Sequence, residues 1–161
     1  LLAAAMAAGA VAGGVFSGWL PRVSRQGLVI VVAILIWGTA MVGFGLAVAR
    51  ADGHPGPMLW VSLALLAVGG AADMVSAAFR STMLQEVASD EMRGRLQGVF
   101  IVVVAGGPRL ADALHGAAGA MIGTAVAAAG GGALVVVGVV VAALAVPVFL
   151  RYRRPEFSVE R

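Results

Sequence analysis

Long apolar runs separated by short polar breaks organise the chain. Residues 1–20 carry no charge and are long enough to cross a bilayer, which takes about 20 apolar residues. A polar break at 21–26 leads to a second uncharged run over about 27–49, ended by Arg50, Asp52, His54, Pro55 and Pro57. A third run, 58–79, is interrupted by Asp73 alone. The longest polar stretch, 80–97, holds Arg80, Glu86, Asp90, Glu91, Arg93 and Arg95. A fourth run over about 98–124 contains Arg109, Asp112 and His115, and a Gly-Gly-Gly turn at Gly130–Gly132 leads into a fifth at about 133–150. The pattern predicts an all-α membrane protein with about five spans in one bundle (1–150), a cytoplasmic loop at 80–97 and a basic cytoplasmic tail at 151–161.

The arginines set the orientation. Arg22 and Arg25 lie in the first break, Arg80, Arg93 and Arg95 in the third, and Arg151, Arg153, Arg154 and Arg161 in the tail. The second break holds Arg50 alone, and Arg109 lies inside a run. Basic residues concentrate in cytoplasmic loops, so the alternation predicts an outside N-terminus and a cytoplasmic C-terminus. The first run has neither a charged flank before it nor a cleavage site after it, so it does not read as a signal peptide. With Leu1 in place of Met, the chain is expected to be truncated, starting at or inside a helix.

Composition reinforces this picture. The 161 residues are 61% hydrophobic and 12% charged, where a soluble domain carries roughly 25% charged residues. The 23 glycines are spread through apolar runs, as expected where small residues let membrane helices approach. Candidate small-xxx-small pairs are Gly9/Gly13, Gly14/Gly18 and Gly119/Gly123. The net charge of +3 invites a nucleic-acid reading, but the arginines separate apolar runs instead of lining one polar face. Use of Arg without Lys, with abundant Ala, Gly and Val, points to a GC-rich bacterial genome.

Enzyme chemistry finds no footing. There is no Cys, no paired-His metal spacing, no nucleophile elbow and no phosphate-cradling loop, so neither a metal nor a cofactor is expected. The candidate chemistry lies instead in ionisable groups at membrane depth, each costing at least about 2.5–3.5 kcal/mol to insert. Asp73 lies about 10 Å from the cytoplasmic end of its run, and Arg109 about 16 Å into the next, near the midplane. Asp112 and His115 follow Arg109 at steps of three and share one broad face with it. An Arg109–Asp112 pair would hold the carboxylate ionised until a proton or substrate competes, and His115 can carry a proton near neutral pH. Against this stands a static ion pair that only locks helices, with Asp73 as a structural partner for Arg109 and His115 bonded to a neighbouring helix.

Gly106, Gly107 and Pro108 directly precede Arg109 and predict a broken helix beside charge, a recurring construction of transporter sites. In the polar stretch, Ser89 or Asp90 can cap a helix with acids in its first turn. Arg22, Arg25, Arg93 and Arg95 are candidates for a cytoplasmic gate, or simply topology signals.

The order of runs, with the stretch LQEVASDEMRGRLQGVFIVVVAGGPRLADALHGA, resembles the C-terminal half of a major facilitator superfamily transporter. The likeness is greatest to the enterobactin (siderophore) exporter group and its multidrug-efflux relatives. It rests on Arg93-Gly94-Arg95, on Gly106-Gly107-Pro108-Arg109-Leu110, and on GWLPRVSRQG at Gly18–Gly27, similar to the cytoplasmic loop repeated in each half. Ser89 stands where such loops often carry Pro, and Ala111 where Gly is common. The resemblance implies the last five helices of twelve, lacking one helix of their own half and the entire N-terminal half. It implies proton-coupled export of a small amphipathic substrate (siderophore or drug) across a bacterial inner (plasma) membrane, with membrane lipid, protons and the missing half as partners. The fragment would then be inactive alone. A non-transporting membrane scaffold or assembly subunit, whose charges pair helices in a larger complex, is the alternative.

Overall fold

The computed structural model describes residues 1–18, 23–51, 56–87 and 90–152, apart from the side chains of 86–93. Among them there is no strand. The helices are α1 (Leu2–Val15), α2 (Gln26–Arg50), α3 (Pro57–Val87), α4 (Asp90–Ile122), α5 (Thr124–Ala145) and the short α6 (Pro147–Arg151). Four are long and apolar enough to cross a membrane: α2, α3, α4 and α5.

Five spans were expected, and α1 is the exception. Its 14 residues rise about 21 Å, short of a hydrocarbon core of about 30 Å. The apolar helical stretch reaches Gly18 only through a tighter turn at 16–18.

The polar stretch at 80–97 is helical on both sides rather than a loop. α3 continues to Val87 and α4 starts at Asp90. Residues 81–87 contain neither Gly nor Pro, so nothing in them stops a helix once the apolar part has nucleated it.

Gly130–Gly132 is likewise no turn, because α5 runs through it. The chain breaks instead at Gly123, whose φ of 88° lies in the left-handed region that suits glycine. The triple glycine serves packing. A Cβ on Gly132 would stand 2.6 Å from the Gly38 carbonyl of α2. At the far end, Val146 is extended ahead of Pro147, which opens α6 at its first position.

The packed helices form a row in the order α1, α3, α2, α5. Small residues set the seams. Gly9 and Gly13 of α1 face the backbone at Ala67 and Ala71 of α3, and any side chain on Gly9 would collide with the Ala67 carbonyl. Gly38 and Gly45 of α2 meet Val136, Ala125 and Ala129 of α5 in the same way. The buried apolar core follows these seams, with Ile30, Val31, Ala33 and Ala40 on α2, Leu66, Ala72 and Phe79 on α3, and Ala127 on α5. Of the three expected pairs, Gly9/Gly13 is a seam, Gly14 and Gly18 meet little, and Gly123 ends a helix.

α4 differs from the row. It joins α5 near its own C-terminal end and touches α3 only slightly, and no residue of its apolar window is buried.

Candidate functional site

The charged group that the structure assembles lies on α3. Asp73, Ser76 and Arg80 are spaced three and four residues apart and so share one face. A helical side chain leans toward the N-terminus, which lets Arg80 reach back two turns. Its Nε donates to the Ser76 carbonyl at 3.3 Å, and its terminal nitrogen lies 3.6 Å from Asp73 Oδ1. This is the one ion pair among the described residues. It is half-exposed and longer than a tight charge-assisted contact of about 2.7–2.9 Å, so it adds little rigidity.

Ser76 sits beneath that pair with 1% of its surface exposed, and its Oγ has no hydrogen-bond partner. Other hydroxyls in these helices behave differently. Thr39 Oγ1 donates to the Leu35 carbonyl at 2.7 Å and Thr82 Oγ1 to Ala78 at 3.0 Å, the usual local solution for a helical hydroxyl.

Two adjoining cavities open here. The smaller, about 210 Å³, is bounded by Ala33 and Trp37 of α2, Asp73, Ser76 and Arg80 of α3, and Val135 of α5. The larger, about 790 Å³, shares Ile34 and Arg80 with it and continues between α2 and α5 towards Phe149 and Tyr152. Phe100 of α4 leans over this groove.

The α4 residues lie elsewhere. Arg109 and Asp112 are both exposed, and neither makes the pair expected of it, whether with the other or, for Arg109, with Asp73. Asp73 has taken Arg80 instead, because the two share one helix face whereas α4 stands off from α3. Arg109 lies near the middle of the α4 window, about 20 Å from either end. The expected helix break at Gly106, Gly107 and Pro108 does not occur, since α4 is helical through them. A Cβ on either glycine would meet open space, so no neighbour forces a bend, and Pro costs one hydrogen bond without ending the helix.

His115 lies where α4 meets α5. Its Nδ1 is 2.8 Å from the Ala111 carbonyl, and because a carbonyl only accepts, Nδ1 carries the proton. Its Nε2 edge rests over Gly131, where any side chain would strike the ring.

Of the candidate gate residues, Arg25 caps the start of α2 and Arg95 lies in the second turn of α4; both are exposed. Arg22 and the side chain of Arg93 fall outside the described residues.

Arg80 and Ser76 were not singled out in the sequence. Arg80 reads from the sequence as a topology signal. The spacing Asp73, Ser76, Arg80 on one face was the available signal, visible only once α3 is known to continue past residue 79.

Comparison with protein-family models, curated proteins and solved structures returned no match, so the functional reading rests on the chain's own residues.

Proposed function

We propose that this chain is part of a transmembrane transporter, a proton-coupled exporter of small amphipathic molecules of the siderophore or drug class. It acts in a bacterial inner membrane with its C-terminus in the cytoplasm, and works together with further helices that complete the path. The observation that supports this reading is the exposure of the membrane-depth charges. Asp73, Arg109 and Asp112 are all unsealed by the helices around them. Bare charge facing lipid costs about 2.5–3.5 kcal/mol per residue at least, so Arg109 and Asp112, which have no ion-pair partner among the described residues, require water or a partner. A water-filled substrate path supplies the first, and Asp112 or His115 then exchanges protons within it.

The exposed α4 favours a second reading, a scaffold in which partner helices cover Arg109 and Asp112. Efflux from inverted vesicles separates the two. The gene is expressed as it stands in its genome, with Asp112→Asn or Arg109→Ala, and membrane abundance is checked. Transport predicts that efflux of a fluorescent drug or labelled siderophore falls at least about ten-fold at unchanged protein level, as expected when a charged group engaged during transport is lost. Efflux that persists, or falls only in step with protein, assigns the charges to assembly.

A further inference from the structure

The two adjoining cavities have a chemical polarity of their own. The wall of the larger is aliphatic and aromatic, with Val139, Val146, Phe100 and Phe149 contributing, and Arg80 is the one charged side chain on it. Asp73 borders only the smaller cavity. At about 790 Å³ the larger space falls in the range of small-molecule sites, roughly 300–1,000 Å³.

Arg80 is not saturated. A guanidinium offers five N–H donors. One goes to the Ser76 carbonyl, and the Asp73 contact at 3.6 Å is longer than a direct hydrogen bond of this kind. Ser76 Oγ adds an independent sign next to it, on the wall of the smaller cavity that Asp73 also borders. It is almost wholly buried and unpartnered, and it does not adopt the local bond that Thr39 and Thr82 make. A buried hydroxyl without a partner costs about 1–3 kcal/mol, a cost that a bound polar group would remove.

We propose that this groove binds an amphiphilic anion, its head against Arg80 where the two cavities meet and its apolar body in the larger cavity. A cation is disfavoured, because the charge it would meet at the head of the larger cavity is the Arg80 guanidinium. A neutral amphiphile would leave the guanidinium's remaining donors unused. The proposal deepens the transporter reading and rests on it for the role of the anion as cargo. The head group can belong to a soluble amphiphile or to an anionic bilayer lipid, since both present the same chemistry.

The test uses the full chain in nanodiscs of phosphatidylcholine, with cis-parinaric acid and its primary alcohol as probes. Energy transfer from tryptophan to the probe reports occupancy, because Trp37 borders the smaller cavity. The acid is expected to saturate about ten-fold or more tighter than the alcohol, as for a hydrogen bond to a charged group. Arg80→Gln should remove that preference and Arg80→Lys keep part of it. Ala143→Phe, which fills the larger cavity, should weaken both probes. Helical circular dichroism confirms that each variant is folded. Adding phosphatidylglycerol identifies the source: displacement of the acid makes a bilayer lipid the occupant, and retention makes it a soluble amphiphile, and either result supports the site. Equal binding of acid and alcohol, or an acid preference that survives Arg80→Gln, overturns the proposal. Binding is read without transport, so its failure leaves the exporter reading standing, and a failure of efflux with binding intact does the reverse.

Discussion

The row α1–α3–α2–α5 and the helix α4 are made from similar residues yet sit in the molecule in opposite ways. At the α1–α3 and α2–α5 seams of the row, glycines lie against the facing backbone at distances that a Cβ would forbid. In α4, Gly94, Gly98, Gly106, Gly107 and Gly116 face nothing. Small residues therefore do not create a contact by themselves. They permit one where two complementary faces meet, since lipid supplies no hydrophobic drive for helices to pair. Charge at mid-span is common to both, with Asp73 on α3, but Arg109 and Asp112 lie on a helix whose apolar window has no buried residue. The row closes through packing, and α4 leaves its mid-span charges uncovered.

The largest expected effect breaks the row at its narrowest seam. Gly9→Leu drives a side chain into the Ala67 carbonyl and should cost about 1–3 kcal/mol or more. The matching change on α4, Gly106→Leu, should leave stability unchanged or raise it by up to about 1 kcal/mol, because it improves helix propensity in open space. Unfolding of both variants in mixed micelles, followed by circular dichroism, measures the contrast. Equal losses would mean that α4 is packed as tightly as the row.

A smaller effect sharpens the comparison inside the row. Ser76→Ala removes a buried hydroxyl that has no partner, so stability should rise by about 1 kcal/mol in the same assay. A loss of that size would show that the hydroxyl is bonded. Smallest of all is Asp73→Asn. It loosens a half-exposed pair and should change stability by less than about 1 kcal/mol, with added salt shrinking the difference further.

Much of the row was legible in the sequence, because an uncharged run of membrane length leaves few alternatives to a helix. Its ends were not. Glycine marks both turns and close packing, so Gly130–Gly132 read as a turn although it is a seam, and Gly123 makes the break. Polarity also misled at 81–87, since a polar segment without Gly or Pro can prolong an apolar helix. The positions of Asp73, Arg109, Asp112 and His115 within apolar helices could be read directly, but their partners could not. Pairing depends on which helix faces meet, and α4 does not come close enough to α3 for Arg109 to reach Asp73.

The central claim is that the mid-span charges of α4 face water. The chain has no native cysteine, so a single introduced thiol reports its own surroundings. In native membranes, Asp112→Cys should react with a charged, membrane-impermeant methanethiosulfonate reagent, while Ala127→Cys, buried in the row, should not. If the thiol at position 112 resists the charged reagent and yields only to a lipid-soluble maleimide, the site is sealed from water and the account of α4 as part of a transport path is contradicted.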